Sequence, residues 1–280
     1  MSEYITSGVV KLFACLNLIP PPRAGLLGRA LGFPARPKVS AEHKTFLSAE
    51  YLQLTTWPDR KGQVDWLSLR RAAPDNLRVL LAPDSHPPPP DSGFISPRLE
   101  GFEVHLLLRT ACALTAGIPI YRRVIGLLDP AGSAAWMLPA LLAHYSSARV
   151  CSQNRAVYRA AGEEMMASLG AHVGLSDHLS GCLLVLVPNS GDLGLSARCP
   201  CPVLTAGSYA GGNGMTVFSD FSVLREEDAP PGLSPSLFAA ALWELCGVPL
   251  GESGARTLRI NGRRVDIQTA ANFLRGRAKS

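Results

Sequence analysis

The residues of this chain best suited to chemistry lie in two polar stretches, each of which follows a short apolar run. The first is the turn within LLDPAGSAA, which contains Asp129, Pro130 and Gly132. A turn of this kind, between a strand and a helix, can hold a phosphate with backbone amides and the partial charge of the helix N-terminus. The second is SQNR, residues 152–155, where a nucleotide-binding fold would contact a ribose. The pattern predicts the frame of a dinucleotide site.

The first turn departs from the glycine-rich pattern of such sites. Aligned on the end of the apolar run, Asp129 takes the first glycine position, Ala131 the second and Ala134 the third. The methyl group of Ala131 stands where a phosphate oxygen would approach, and the Asp129 carboxylate would repel the phosphate unless it turned away. Pro130 has no amide to donate. The turn therefore argues against ordinary pyrophosphate binding.

The remaining candidates for cofactor binding are Gly132, Ser133, Asn154 and Arg155. Gly132 can take one glycine role if the alignment slides, with Ser133 beside it. At the end of the second strand an NAD-type site carries Asp or Glu, whereas this chain offers Asn154 and a guanidinium, which suits a 2′-phosphate. Any dinucleotide would therefore be NADP. The alternative stays open that Asn154 is a helix cap and Arg155 a solvated residue, and with this turn we expect no cofactor.

Short apolar strands that alternate with helices must position these stretches. Strands are predicted over residues 124–128, 148–152, 171–174, 182–187, 202–205 and 215–218, and helices over 99–115, 132–145, 154–169 and 235–246. This alternation predicts a parallel sheet that is covered on both faces. Because crossovers are right-handed, the predicted fold class is α/β with a doubly wound, mostly parallel Rossmann-like sheet.

Two predicted helices have an apolar face. In the first it comprises Ala134, Leu138, Leu141, Leu142 and Tyr145, and in the second Val157, Ala161, Met165 and Leu169. Side chains at these spacings share one side of a helix. Both faces are therefore expected to pack on the sheet.

The rest of the chain is less regular. Residues 9–20 are predicted to form a short apolar helix that ends at three prolines, residues 76–82 a buried strand, and the prolines of 87–90 an exposed loop. The Asn261-Gly262 pair, between alternating residues, predicts a β-hairpin. We divide the chain into an irregular N-terminal α/β region (1–98), a Rossmann-like domain with flanking helices (99–250), and a C-terminal hairpin with a basic tail (251–280).

Two segments resemble a known enzyme group. SARVCSQNRAVYRAAGEEMMASLGAHV is similar to a strand–helix segment of the shikimate dehydrogenase and glutamyl-tRNA reductase group, where an Asn-Arg pair opens the helix and recognises NADP. PVLTAGSYAGGNGMTVFSDFSVL is similar to the closing strands of the glutamyl-tRNA reductase nucleotide domain. The resemblance covers residues 124–224 and implies that Asn154 and Arg155 are the cofactor residues. The group's glycine-rich turn has no counterpart here, and neither catalytic domain has one before residue 99.

Composition sets the broad class. A chain of 280 residues with 47% hydrophobic and 18% charged residues has enough apolar material for a sizeable core and too few charges for disorder. The net charge of +5 is mildly basic and identifies no partner. The seven cysteines are scattered and odd in number, which favours buried thiols over a disulfide framework. No segment reaches about 18 uninterrupted apolar residues, so we expect a cytoplasmic protein that does not contact a membrane.

Other residue clusters give weaker predictions. The six histidines form no HExxH pair, so we expect no metal site. His172 and His178, with Asp177, are expected near the carboxyl end of the third strand, and the glycines of residues 211–214 could approach a ligand. Cys199-Pro200-Cys201 is too tight for a zinc knuckle. The basic residues after Arg256 lack an aromatic platform except Phe273, so nucleic acid is not the expected partner.

Two functions remain. The first is a non-catalytic Rossmann-like protein, a possible pseudoenzyme, that binds a small ligand or a protein partner. The second is an NADP-dependent oxidoreductase of the shikimate dehydrogenase and glutamyl-tRNA reductase type. The sequence names no catalytic residue and no oligomeric state, and whether the chain is an enzyme stays open.

Overall fold

We describe a computed structural model of the chain, in residues 12–21, 38–59, 61–99, 101–206 and 215–279. The chain divides into two compact units. The first comprises Met1–Glu100 with Leu224–Leu250, and the second Gly101–Val223 with Gly251–Ser280. The predicted Rossmann-like domain over 99–250 includes residues 224–250, which these units group with the N-terminal region. The predicted three-part division of the chain stays a prediction.

The elements of the described residues are numbered in chain order. The strands are β1 Phe13–Leu18, β2 Ser40–Phe46, β3 Ala49–Thr56, β4 Val79–Leu81, β5 Val124–Leu128, β6 Ser147–Cys151, β7 His172–Leu175, β8 Leu184–Val187, β9 Val203–Thr205, β10 Val217–Ser222, β11 Thr257–Ile260 and β12 Arg263–Asp266. The helices are α1 Trp66–Ala72, α2 Gly101–Thr115, α3 Leu138–Leu142, α4 Arg155–Leu169, α5 Pro235–Cys246 and α6 Ile267–Lys279.

The second unit is built on an eight-stranded sheet, in the order β12-β11-β10-β9-β8-β5-β6-β7. Strands β5 to β10 are parallel, whereas β11 and β12 are antiparallel. Taken in the sequence in which the chain forms them, the six parallel strands lie as 3-2-1-4-5-6, which is the strand order of Rossmann-like folds. The predicted fold class is therefore confirmed. The direction of winding reverses between β5 and β8.

The two faces of this sheet are covered differently. The helices α2 and α6 pack against each other, and α2 contacts β8 and β9, while α4 packs on β7. The opposite face is covered by apolar side chains from the described parts of the irregular connections between β7 and β10. These side chains are Leu179, Cys182, Leu193, Cys201 and Met215. One face is therefore helical and the other is closed by short apolar connections.

The helices of the second unit differ from their predictions in instructive ways. The predicted helix over 132–145 is a 3₁₀ turn, Ala135–Met137, followed by the short α3, although its whole apolar face is buried. On α4, Val157 and Leu169 are exposed, and Tyr158 and Met165 are the buried residues. Contact with the sheet follows the i, i+3, i+4, i+7 stripe. A row of residues four apart drifts away from that stripe.

The C-terminal region is more ordered than a basic tail. The β-hairpin prediction is confirmed, with Asn261 and Gly262 at φ 48° and 83° in the turn between β11 and β12. The residues that follow form α6, in which Ala270 and Leu274 are buried and the Phe273 ring meets Phe218 edge-on at 6.1 Å. The Asp266 carboxylate accepts from the backbone of Thr269, which starts this helix.

The first unit contains a second sheet, in the order β2-β3-β1-β4. The prediction of an apolar helix over 9–20 is wrong in its described part, because β1 is a central strand that pairs in parallel with β3 and β4. A continuous apolar run fits a buried strand and a buried helix equally, and only its neighbours decide. The Phe238 ring on α5 lies 5.3 to 6.3 Å from the rings of Phe13, Phe46 and Tyr51.

No helix in the described residues combines the length and the apolar character that a membrane crossing requires.

Candidate functional site

The candidate site lies at the carboxyl ends of β5 and β6, next to the point where the winding reverses. Ligands of open α/β sheets bind at such a point, outside the carboxyl ends of the strands. The structure brings Gly132, Ser133 and Asn154 together there. The turn after β5 and the turn after β6 are in direct contact, since the Gln153 amide donates to the Pro130 carbonyl at 3.2 Å.

The Asp129 carboxylate points into the protein. Its residue is only 4% exposed, and its own amide donates to the Cys151 carbonyl at 3.1 Å. The carboxylate accepts from the Ala134 amide at 2.7 Å, from the Tyr158 hydroxyl at 2.6 Å and from the Ser133 hydroxyl at 3.2 Å. Asp129 is therefore a buried acceptor with three donors. The carboxylate is turned away from the side where a ligand would bind. From the sequence, this is the one arrangement in which Asp129 would not repel a phosphate.

This arrangement uses the donors that a phosphate would need. In a dinucleotide site, backbone amides at the start of the first helix hold the pyrophosphate. Here the Ala134 amide, at the start of the Ala135–Met137 turn, is bonded to the Asp129 carboxylate. Pro130 supplies no amide. The residues of this turn therefore do not fit a pyrophosphate in the usual position.

Gly132 is required for packing between the two turns. It has φ +78°, and a Cβ at this position would lie 2.9 Å from the Cβ of Asn154. The Asn154 side-chain amide donates to the Ala131 carbonyl at 3.5 Å, and the Ser152 hydroxyl to the Pro130 carbonyl at 3.4 Å. The one glycine of this turn is therefore needed to make room for the Asn154 side chain.

The end of β6 keeps part of the predicted cofactor corner. Asn154 is the N-cap residue of α4, although its side chain makes no capping hydrogen bond. The Arg155 guanidinium, about half exposed, pairs with the Asp177 carboxylate. A surface ion pair of this kind is worth about 0 to 1 kcal/mol. Arg155 therefore has an acidic partner of its own in the place where a 2′-phosphate would be expected.

Tyr158 is the residue of the candidate site that sequence reasoning missed. It is fully buried at the start of α4, and its hydroxyl joins this helix to the turn after β5. Burial, together with the Asp129 carboxylate beside it, raises the pKa of Tyr158 well above its ordinary value. A usable signal was present, because a tyrosine within RAVYRAAG must place a polar hydroxyl somewhere when its ring is buried.

This pKa shift predicts how stability depends on pH. A tyrosine whose pKa is raised on folding stabilises the fold below its ordinary pKa near 10, and that stability is lost as the pH rises above 10. Tyr158→Phe should therefore reduce the alkaline decline of the unfolding free energy by up to about 1.4 kcal/mol per pH unit. Urea unfolding between about pH 9 and about pH 11 measures it. Tyr121→Phe, at an exposed position, should leave the slope unchanged, and an unchanged slope in Tyr158→Phe would contradict the expectation.

The other sequence candidates lie elsewhere. His172 begins β7 and so lies at the amino ends of the parallel strands, away from the candidate site. Asp177 and His178 follow the carboxyl end of β7. Cys182, Cys199 and Cys201 lie together on the irregular face, where burial raises the pKa of Cys182 to about 12. Within the described residues, no three His, Cys, Asp or Glu side chains gather into a metal site. The glycines of 211–214 lie outside the described residues.

Comparisons with protein-family models, with curated proteins and with solved structures each found no match. The α/β fold with its mostly parallel sheet therefore stands on the strands and their pairing. The geometry of the site stands on the chain's own residues.

Proposed function

We propose that this chain is a non-catalytic Rossmann-like protein that binds a small ligand or a protein partner instead of a dinucleotide. The observation that carries the proposal is the buried carboxylate of Asp129, which holds the Ala134 amide at 2.7 Å. The Asp129 carboxylate therefore takes the place of a bound anion at the start of the Ala135–Met137 turn. A pyrophosphate would have to displace that carboxylate and then remain beside its charge.

Energy favours the internal anion. Displacing the carboxylate would leave the Tyr158 hydroxyl without its acceptor, and an unmade hydrogen bond to a buried group costs about 1 to 3 kcal/mol. The contact of Gly132 with Asn154 also closes the turn on its outer side. The place that remains for a ligand or partner is outside the carboxyl ends of the neighbouring strands β5 and β8, where the direction of winding reverses.

The alternative is an NADP-dependent oxidoreductase of the shikimate dehydrogenase and glutamyl-tRNA reductase type. The observation that favours it is the position of Asn154 and Arg155 at the start of α4, where a guanidinium could contact a 2′-phosphate. Binding there would require Arg155 to leave Asp177. An exposed pair of this kind gives way at little cost, so the corner can be tested directly.

A fluorescence titration with NADPH distinguishes the two functions. For the wild-type chain we expect no saturable binding up to about 1 mM, an affinity of about −4 kcal/mol. Micromolar binding that Arg155→Ala abolishes would overturn the proposal and support the oxidoreductase. Arg122→Ala is the matched control, because Arg122 is also an exposed arginine of the second unit but lies before β5.

A further inference from the structure

The helix α4 is unusually exposed for a helix that packs on a sheet. Of its fifteen residues, Tyr158 and Met165 are the buried ones. The face that points away from them carries small residues, a matched pair of charges and Met166, whose side chain is about half exposed. We call this set the α4 outer face. Its members are Ala156, Arg159, Ala160, Glu163, Met166 and Ala167.

The sheet edge beneath α4 is also uncovered in the described residues. There β7 pairs with β6 alone, and its four residues include no Lys, Arg, acid or proline. The other edge strand, β12, carries Arg263, Arg264 and Asp266. Native sheets protect their edges with charges or with a covering element. Because β12 has charges and β7 does not, β7 is the less protected edge of the sheet.

The groove between α4 and β7 shows the shape of this surface. It has a volume of about 520 Å³ and is lined by Arg159, Glu163 and Met166 on the helix side. At its base, a Cβ on Gly162 would lie 3.3 Å from the Cβ of Val173. The helix therefore sits close above the edge strand, and three residues of the α4 outer face border the groove beside β7.

We propose that the α4 outer face binds a second copy of this chain, with the two α4 helices antiparallel about a twofold axis. A twofold interface places the same patch on both subunits, so its features must be self-complementary. In an antiparallel helix pair, residues equally spaced about the axis face each other across it. The α4 outer face meets this condition twice.

The charges and the small residues point to axis positions that lie half a residue apart, about 0.75 Å along the helix. Arg159 and Glu163 are equally spaced about position 161, so each arginine faces the partner copy's glutamate and two ion pairs form. Ala156 and Ala167 are equally spaced about the point between 161 and 162, so alanine faces alanine. Small residues on both helices allow axes to approach to about 8 Å, the near end of helix packing distances.

Neither charge is committed elsewhere in the described residues. No hydrogen bond or ion pair of Arg159 or Glu163 is found there. The two residues lie four apart on one helix with the arginine nearer the N-terminus, which is the less favourable order for an ion pair within a helix. Between two copies, the same residues meet across a partly desolvated surface, where opposite charges attract more strongly than in water.

Charge reversal and charge exchange test the proposal. Sedimentation equilibrium of the full chain should show a dimer in the wild type, and Arg159→Glu or Glu163→Arg should raise its dissociation constant by at least about tenfold, since either change places like charges opposite each other twice. The double variant, which exchanges the two charges, should return to within about threefold of the wild type. Glu164→Arg is the control on the same helix, because Glu164 lies about a quarter turn round from the α4 outer face.

Each other outcome overturns the proposal. A wild-type chain that stays monomeric at about 100 μM, well above the range of a specific dimer, overturns the proposal. It does so even if another protein binds this face. A double variant no stronger than the single variants does so as well, because restoration requires the two charges to meet. A loss in Glu164→Arg as large as that in Arg159→Glu would place the interface elsewhere. Circular dichroism of each variant checks that α4 is still formed.

Discussion

Replacing Asp129 by alanine is expected to lower the free energy of unfolding by about 3 to 5 kcal/mol, the cost of removing one partner from a buried charged cluster. The change leaves the Tyr158 hydroxyl and the Ala134 amide without their acceptor. Each buried donor left unpaired costs about 1 to 3 kcal/mol. Asp129→Asn should cost less, about 1 to 2 kcal/mol, because one amide oxygen remains to accept. Urea unfolding at neutral pH measures both changes.

The control and a second variant make this expectation sharp. Asp177→Ala removes a carboxylate whose side chain is 77% exposed, so it should change the unfolding free energy by about 1 kcal/mol or less. Combining Asp129→Ala with Tyr158→Phe should show a coupling of about 1 to 3 kcal/mol, since the two residues share one hydrogen bond. If Asp129→Ala costs no more than Asp177→Ala, the carboxylate faces solvent and the turn is open to a ligand.

Replacing Phe238 by alanine is expected to destabilise the first unit by about 3 to 5 kcal/mol, the usual cost of removing a buried phenylalanine ring. The ring is fully buried and lies among Phe13, Phe46 and Tyr51. These residues come from β1, β2 and β3, whereas Phe238 lies between 187 and 225 residues further along the chain. Denaturant unfolding gives the loss, and faster amide exchange in β1 and β3 would locate it.

Tyr121→Ala is the control for this change, because it removes a ring of similar size whose residue is 70% exposed. It should change stability by about 0.5 kcal/mol or less. Unchanged exchange in β1 and β3 after Phe238→Ala would mean that α5 does not support the N-terminal sheet. The assignment of residues 224–250 to the first unit would then be wrong.

Much of the fold was predictable from local patterns. The strand β5, the helix α5 and the hairpin of β11 and β12 each carry their own signals, which are an apolar run between polar turns, the Ser234 cap with Pro235 and a final Gly247, and the Asn-Gly turn. Strands β1 and β2 were harder. A central strand with partners on both sides has no alternation, and the sequence SAEHKTF of β2 is polar on an exposed edge.

For the candidate site, the sequence predicts the positions of the residues but not the contacts of their side chains. The positions of Gly132, Ser133, Asn154 and Arg155 follow from where β5 and β6 end. What each side chain contacts does not follow, because the partner is supplied by another element. Arg155 contacts Asp177, which follows β7, and Gly132 contacts Asn154, which lies in the turn after β6.

The sequence by itself determined that this chain forms a parallel α/β sheet and that the turn after β5 lacks the glycines of a dinucleotide site. Local patterns suffice for this, since strand, helix and turn preferences act over a few residues. Only the tertiary structure decided where the Asp129 carboxylate points. That direction depends on the Tyr158 hydroxyl, 29 residues further along the chain. A buried hydroxyl needs a hydrogen-bond acceptor, and the Asp129 carboxylate is that acceptor. The same carboxylate that the sequence suggested would repel a phosphate is buried as an anion of the protein's own.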